Sequence, residues 1–457
     1  MFTSINPATG DEIARYESHS AEQVDAALTA AVAAQRKWRE RDVGERAAFL
    51  PRVGEALRAR KAEFARLITS EMGKPLAEAE AEIEKSIWCC DFYAEHAPAF
   101  LADEPAVTNA VDSRVVFDPL GVVLAVMPWN YPFWQFFRFF APAIAAGNAT
   151  ILKHASNVSG CALAIEQALL DAGLPHGLSR SLLVESRRVA GLIGDDRIAA
   201  VTLTGSTQVG QIVAADAGRH IKKQVLELGG TDPFIVLADA DVTRAAEIGA
   251  KARFQNAGQS CIAAKRFIVE DRIADRFVAE FTERVRAIRL GDPMQPGTQM
   301  GPMARTDLRD ELHEQVRRSL AEGAELVLGG APMEGPGAFY QPTILDHVNT
   351  GMAACREEIF GPVAPIIRVR DADEAITLAN DTEYGLGAAL WTGDLDRAAK
   401  LARRIEAGAV FVNSLVASDP RVPFGGIKKS GYGRELGSFG IREFTNIKTV
   451  CTSPASA

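Results

Sequence analysis

This chain of 457 residues lacks the features that define several other classes of protein. Its 59 acidic residues outnumber 50 basic ones, and no Lys/Arg-rich block stands out, which argues against nucleic acid as a main partner. Six cysteines without a CxxC pair are too few for a disulfide scaffold, so we expect a reduced, cytoplasmic setting. The N-terminus has neither a basic n-region nor an apolar h-region, and no signal peptide is predicted.

Long hydrophobic runs are also missing. The most apolar segment, residues 120–152, is interrupted by proline, asparagine and arginine. It therefore falls short of the roughly 18 uncharged apolar residues that a membrane helix needs. We predict no membrane partner and no metal site, and we interpret this segment as buried strands around a polar turn.

What is present is the pattern of an α/β protein with two or three domains, as the length also suggests. Apolar residues recur at helical spacing in residues 21–40, 43–70 and 74–96. Apolar strands then alternate with helices, which indicates parallel sheets covered on both faces. The predicted strands are 121–126, 149–153 and 200–204 in a first unit, and 233–237, 266–269, 325–328, 364–369, 388–392 and 409–412 in a second.

Cys261 is the candidate nucleophile. It follows a small, polar run at residues 254–260 and precedes a β-like stretch at 261–269, so a turn could present its sulfur to a cleft. Glu227, in the seam between the two units, could take a proton from the thiol or from a water. The alternative is that Cys261 is a small core residue, as an isolated cysteine commonly is.

Asn130 lies between Pro128 and Pro132, directly after a predicted buried strand. An amide held rigidly at such a turn suits an oxyanion hole, because the benefit comes from donors oriented before charge develops. The alternative is an asparagine that satisfies backbone groups of the proline turn.

A phosphate site is indicated by residues 204–210, which follow a strand and open a helix. Backbone N–H groups there and the Ser206 hydroxyl suit a pyrophosphate. The run matches neither GxGxxG nor a P-loop, so a plain glycine-permitted connection is the alternative. Lys153, at a strand end, could hydrogen-bond ribose hydroxyls or could be a solvated lysine.

Together these segments resemble the aldehyde dehydrogenase superfamily over nearly the whole chain. The matching pieces, in order, are Asn6-Pro7-Ala8-Thr9-Gly10, Pro128-Trp129-Asn130, Leu152-Lys153, Thr204-Gly205-Ser206, Glu227-Leu228-Gly229-Gly230, Gly258-Gln259-Ser260-Cys261, Glu357-Glu358-Ile359-Phe360-Gly361-Pro362-Val363 and Pro423-Phe424-Gly425-Gly426. The resemblance implies two Rossmann-like parallel-sheet domains and a small β oligomerisation arm. The implied ranges are 1–106 and 122–228 for the dinucleotide-binding domain, 229–435 for the catalytic domain, and 107–121 with 436–457 for the arm and tail of a homodimer or homotetramer.

The resemblance implies NAD(P)-dependent oxidation of an aldehyde to a carboxylic acid. Cys261 would form a thiohemiacetal, with the oxyanion held by the Asn130 amide and the Cys261 backbone N–H. Hydride transfer would leave a thioester, which Glu227 would help water to hydrolyse. The cofactor would be held by Trp129, Lys153, Ser156, Gly205, Ser206, Glu358 and Phe360. Of these, Glu358 would bind the nicotinamide ribose.

One departure bears on the cofactor. Members selective for NAD usually carry a glutamate three residues after the lysine, and Ser156 stands there. A carboxylate would repel a 2′-phosphate, whereas a hydroxyl can donate to it. We therefore expect NADP or NAD to serve, with NADP favoured.

The substrate implied by the resemblance is succinate semialdehyde, because the chain is similar to the short succinate-semialdehyde dehydrogenase branch. A carboxylate-bearing aldehyde needs a cation, for which Arg138 matches the family position, with Ser418 and Arg421 in the loop that closes the tunnel. Arg138 could instead be a helix-surface or interdomain ion-pair residue. Gln255 stands where some succinate-semialdehyde enzymes have a second arginine. Ala263 stands where some relatives have a second cysteine that forms a redox switch, so no such switch is expected here.

Three other functions stay open at this point. The enzyme could oxidise another small or aromatic aldehyde. A Cys-dependent esterase would share the nucleophile and the oxyanion hole but would not explain the cofactor signals. A non-catalytic binding protein would not explain the combination of Cys261, Glu227 and Asn130.

Overall fold

Strands that are apolar at most positions form the two largest sheets of this protein, whose computed structural model describes residues 1–454. The strands are β1 (Phe2–Ile5), β2 (Glu12–Tyr16), β3 (Glu104–Pro105), β4 (Asp112–Pro119), β5 (Val122–Met127), β6 (Ala149–His154), β7 (Ser179–Ser181), β8 (Ile198–Thr204), β9 (Lys223–Glu227), β10 (Pro233–Val236), β11 (Arg266–Glu270), β12 (Glu325–Leu328), β13 (Thr343–Asp346), β14 (Val363–Val369), β15 (Gly387–Trp391), β16 (Ala409–Val412), β17 (Gly431–Tyr432) and β18 (Thr445–Thr452).

Helices connect and cover these strands. They are α1 (Ala21–Trp38), α2 (Val43–Ala47), α3 (Leu50–Ala59), α4 (Lys61–Met72), α5 (Leu76–Phe100), α6 (Trp134–Ala145), α7 (Ser159–Asp171), α8 (Val189–Gly194), α9 (Thr207–Arg219), α10 (Val242–Phe254), α11 (Asp271–Arg286), α12 (Thr306–Ala321), α13 (Ala353–Arg356), α14 (Ala372–Asn380), α15 (Leu395–Ala402) and α16 (Gly437–Glu443).

The first large sheet has the order β17-β9-β8-β5-β6-β7 and is parallel except for β17. Every residue of β5 and β6 is buried, as expected for a sheet covered on both faces. The strand order reverses at β5, with β6 and β7 on one side and β8 and β9 on the other. In open α/β sheets, ligands bind beyond the carboxyl ends of the strands at such a switch point.

The second large sheet has the order β12-β13-β14-β11-β10-β15-β16 and is parallel except for β12. In β10, Phe234 and Val236 pack into one hydrophobic cluster and Ile235 packs into another, so both faces are buried. The segments that lead into β11 and β14 meet at the amino-terminal edge of this sheet, and they carry Cys261 and Glu358. These sheets confirm the predicted α/β fold with two parallel-sheet units.

The third sheet, β18-β4-β3, is antiparallel and small. The C-terminal strand β18 pairs along its whole length with β4 of its own chain, from Thr445 opposite Pro119 to Thr452 opposite Asp112. Seven of the eight residues of β18 are exposed. The role of this arm in forming a homodimer or homotetramer stays a prediction.

Residues 43–70 are helical for most of their length, as predicted, and they form α2 to α4, with Pro51 in the first turn of α3, where a missing N–H is tolerated. One expectation from the sequence was wrong in detail. Residues 261–265 are a turn rather than a strand, because Ala263 N–H bonds back to the Ser260 carbonyl. The strand starts only at Arg266.

Candidate active site

The turn before the candidate nucleophile has three consecutive residues with left-handed backbone. Asn256, Ala257 and Gly258 have φ of 54°, 51° and 72°. Such backbone is costly for residues with side chains and persists only where the surroundings hold it. Here the Asn256 N–H donates to Glu78 Oε2 at 2.9 Å, and the Asn256 amide donates to the Asn130 carbonyl at 2.9 Å. These hydrogen bonds hold the turn against α5 and against the segment that follows β5.

Arg253, at the end of α10, fastens the same turn to the loop before β14. Its side chain is fully buried and donates to the carbonyls of Ala264 at 3.2 Å, Gly258 at 2.7 Å and Ile359 at 3.3 Å. A Cβ at Gly258 would lie 2.3 Å from the Gly361 carbonyl oxygen, so only glycine fits there. The two loops are thereby held as one unit.

Cys261 follows this turn and lines a cavity. Burial raises the pKa of its thiol to about 11, although Arg138 and Lys265 act in the opposite direction. The thiol is therefore protonated at neutral pH, and a base must accept its proton before it can attack.

Asn130 is buried just beyond the carboxyl end of β5. Its Nδ2 donates to the Gln259 carbonyl at 3.1 Å, which ties its side chain to the segment that carries the nucleophile. One of the two Nδ2–H bonds is left for another acceptor. The amide is thus rigidly held, as an oxyanion donor must be, and that role stays a prediction.

Glu227 is the last residue of β9 and is buried. Neither of its carboxylate oxygens has a hydrogen-bond partner among residues 1–454. Burial raises its pKa well above the ordinary range, the charge of Glu435 raises it further, and Arg138 and Arg434 lower it. A buried carboxyl with unfilled acceptors and a raised pKa is suited to proton transfer.

Glu358 and Phe360 lie on the loop that Arg253 holds. Glu358 Oε1 accepts from the Gly230 N–H at 3.1 Å and from Lys265 Nζ at 2.7 Å. The same Lys265 Nζ donates to the Cys261 carbonyl at 2.7 Å, so one lysine links the ribose-binding candidate to the nucleophile. The Phe360 ring meets the Trp129 ring edge to face at 5.9 Å.

The remaining cofactor candidates lie at the carboxyl ends of β6 and β8. Burial lowers the pKa of Lys153, and its ammonium has no ion-pair or hydrogen-bond partner in the described part of the chain. Ser156 is exposed in the turn that follows. Ser206 is the N-cap of α9, with Gly205 before it, and its hydroxyl accepts from the Val209 N–H at 3.4 Å. These residues suit the phosphates and ribose of a dinucleotide.

The cavity beside Cys261 has a volume of about 700 Å³, and Arg138 and Ser418 also line it. Arg138 is buried, makes an ion pair with Glu435 and donates to Thr204 Oγ1 at 3.1 Å. Arg138 therefore lines the cavity and is ion-paired, and its role in binding the substrate stays a prediction.

Arg421 is exposed and does not line that cavity. It makes an ion pair with Asp419 at 2.6 Å. Ser418, by contrast, is buried. Its hydroxyl accepts from Lys85 Nζ at 2.8 Å and from Trp134 Nε1 at 3.1 Å.

Several residues of the site were not predicted from the sequence: Lys85, Arg253, Asn256, Lys265 and Glu435. A signal for Lys85 was present in α5, where Glu78, Glu82 and Lys85 recur at helical spacing on a face that lines the cavity. The others act through contacts with segments distant along the chain, which no local pattern reveals.

Residues 1–454 contain neither a metal-binding cluster nor a membrane-spanning helix. No group of three or more His, Cys, Asp or Glu side chains is arranged to hold a metal ion there. None of the helices in that range is long and apolar enough to cross a bilayer.

A two-unit α/β fold with a switch point in its first sheet and a cysteine beside a cavity is typical of an oxidoreductase that uses a dinucleotide. The chain belongs to the aldehyde dehydrogenase family, whose model matches residues 1–450. The predicted family is thereby confirmed.

Individual relatives are similar over nearly their whole length. The chain is 51% identical to the succinate semialdehyde dehydrogenase [NAD(P)+] Sad of Escherichia coli, over 98% of this chain and 97% of that protein. It is 48% identical to succinate-semialdehyde dehydrogenase [NADP(+)] 1 of Mycobacterium ulcerans, over 98% of each. A crystal structure of succinic semialdehyde dehydrogenase from Streptococcus pyogenes in complex with NADP+ superimposes with a TM-score of 0.97 at 37% identity, over 99% of this chain and 100% of that one.

Proposed function

We propose that this protein oxidises succinate semialdehyde to succinate with NADP. The observation that carries the proposal is the cavity where Cys261 shares a wall with the cation Arg138 and the hydroxyl of Ser418. A thiol at one point and cationic groups at another fit an aldehyde that carries a carboxylate. The names of the relatives from Escherichia coli and Mycobacterium ulcerans support the same substrate.

The chemistry begins at Cys261. The thiol gives its proton to water, the sulfur attacks the aldehyde carbon, and the oxyanion of the resulting thiohemiacetal would be held by the Asn130 amide and the Cys261 N–H. A bound nicotinamide cofactor would supply the hydride acceptor, and loss of hydride from that carbon would leave a thioester on Cys261. Glu227 then takes a proton from water, the hydroxide attacks the thioester carbon, and the acid leaves as the thiol re-forms.

The residues at the switch point fit a dinucleotide. Lys153 and the exposed Ser156 would bind the adenosine ribose, and the unpartnered ammonium would attract a 2′-phosphate. Gly205 and Ser206 at the start of α9 would bind the pyrophosphate. Glu358 would accept from the nicotinamide ribose, while Trp129 and Phe360 would pack beside the ring. The absence of a carboxylate at position 156 favours NADP.

For the substrate carboxylate, we propose Arg138 and Ser418. Arg421 is directed to Asp419 and would require a movement of its loop to reach the cavity. The cavity is large enough for other small aldehydes, so oxidation of a different aldehyde is the competing function.

Assembly and location are further parts of the proposal. The exposed apolar side chains of β18, Ile447 and Val450, would be covered in a homodimer or homotetramer. All six cysteines are free, including the nucleophile, which suits a reducing cytoplasmic setting.

The proposal is tested by initial rates at 340 nm with a panel of aldehydes and both cofactors. We expect kcat/KM for succinate semialdehyde to exceed that for butanal and benzaldehyde by about tenfold or more, since a charge-assisted contact is added. We also expect NADP to be used better than NAD, and a hundredfold preference for NAD would refute the cofactor assignment. Cys261→Ala is the control, and ester cleavage without formation of NADPH would favour the esterase instead.

A further inference from the structure

A second cation lines the cavity, on α5. Lys85 Nζ donates to Ser418 Oγ at 2.8 Å and lies over the Trp134 ring, 4.3 Å from its centroid. Trp134 Nε1 donates to the same Ser418 oxygen at 3.1 Å. The lysine is thus held at a fixed point by a hydroxyl and an aromatic face, neither of which neutralises its charge.

Two cations of the cavity, the buried Arg138 and the half-buried Lys85, differ in their counterions. The charge of Arg138 is balanced by its ion pair with Glu435. Lys85 has no carboxylate within 4 Å among residues 1–454. Lys251 and Arg284 also line the cavity, but their side chains are exposed to solvent. Lys85 is therefore the half-buried cation that a bound anion could neutralise.

We propose that Lys85, together with Ser418, binds the distal carboxylate of the substrate and sets the preference for aldehydes that carry one. This inference rests on the proposed function, since it names a residue that would recognise that substrate. A carboxylate there would accept from the ammonium in a partly desolvated site, where an ion pair is worth more than at the surface.

The surroundings of Lys85 make this interaction sensitive to pH. Burial lowers the pKa of Lys85 to about 8, with Arg138 acting in the same direction. Cys89, Asp419 and Glu82 act in the opposite direction. The ammonium of the free enzyme therefore loses its proton as the pH rises through about 8. Above that pH, KM for a carboxylated aldehyde should rise until it reaches the value expected for an uncharged residue 85, whereas KM for butanal should not rise.

The test compares Lys85→Met and Lys85→Arg on succinate semialdehyde and butanal. Met keeps the apolar stem against Trp134 and removes the charge, so kcat/KM for succinate semialdehyde should fall by about tenfold or more, mainly through KM. Its kcat/KM for butanal should stay within about twofold. Arginine keeps its charge at all assay pH values. Lys85→Arg should therefore retain the preference for succinate semialdehyde and lose the rise in KM at alkaline pH.

Two further measurements separate direct binding from other effects. Lys251→Met removes an equal charge from the exposed rim, and we expect less than about a twofold change because surface charges are screened. The product succinate, used as a competitive inhibitor of butanal oxidation, should bind about tenfold more weakly to Lys85→Met. An equal loss on both aldehydes, or unchanged inhibition by succinate, would overturn the inference.

The failure of this inference is distinguishable from that of the proposed function. If the unaltered enzyme shows no preference for succinate semialdehyde over butanal, the proposed substrate and the role of Lys85 are both refuted. If it shows the preference and Lys85→Met keeps it, the role of Lys85 alone is refuted.

Discussion

Replacing Arg138 by methionine should destabilise the fold in a strongly pH-dependent way. Arg138 and Glu435 have side chains only 2% and 3% exposed, and they form a buried ion pair. Burial raises the pKa of Glu435, and Arg138 lowers it. Removing one partner leaves a buried charge uncompensated, which typically costs about 3–5 kcal/mol.

The magnitude is limited by protonation of Glu435. A glutamate of ordinary pKa near 4.3 can be neutralised at a cost of about 1.4 kcal/mol per pH unit above that value. The loss of stability in Arg138→Met is therefore limited to about 4 kcal/mol at pH 7.5 and to under about 2 kcal/mol at pH 5.5. The sign follows because a carboxyl whose pKa is raised by folding opposes folding more strongly as the pH increases.

The assay is thermal unfolding of Arg138→Met, Glu435→Gln and the double variant at pH 5.5 and 7.5. We expect the loss of stability in Arg138→Met to be larger at pH 7.5. The double variant should regain much of it, because no buried charge is left. A loss of the same size at both pH values would refute the assignment of Glu435 as the uncompensated charge.

The other predictions concern the base, the cofactor and a close packing contact. Glu227→Gln should lower steady-state turnover by about a hundredfold or more, while a burst of NADPH persists in stopped-flow measurements. In the unaltered enzyme, kcat should fall as the pH drops through the raised pKa of Glu227. Ser156→Glu should raise KM for NADP by about tenfold and leave KM for NAD near its starting value, since a carboxylate repels the 2′-phosphate. Gly425→Ala should slow turnover without weakening cofactor binding in fluorescence titrations, because its Cβ would lie 2.6 Å from Glu227 Oε1 at a φ of 152°. Gly218→Ala, where a Cβ meets nothing within 4 Å, should behave like the unaltered enzyme.

The parts of the site that could be predicted lie in short sequence runs. Glu227 ends a strand, Asn130 follows a strand and Cys261 precedes one, and turn-forming residues beside Asn130 and Cys261 mark where a side chain can face a cleft. The alternation of apolar strands with helices likewise predicted both parallel sheets, because a sheet covered on two faces is apolar at most positions.

The parts that could not be predicted depend on contacts between distant segments. Arg253 holds two loops about a hundred residues apart, and its buried guanidinium looks in sequence like any basic residue near a helix end. The ion pair of Arg138 with Glu435 joins residues from α6 and from the segment before α16. The turn at Cys261 was predicted as a strand because its apolar residues fit both states, and the backbone hydrogen bonds decided between them.

Glu435 affects both a cation of the cavity, Arg138, and the candidate base, Glu227. It neutralises Arg138, which limits what that guanidinium can offer to a substrate, and it raises the pKa of Glu227. Glu435→Gln should therefore shift the acid limb of the kcat profile to lower pH and also free Arg138 for a carboxylate. If the limb shifts while the preference for succinate semialdehyde over butanal stays constant, recognition depends on Lys85 more than on Arg138. If the preference increases with the shift, Arg138 binds the carboxylate directly once its counterion is gone.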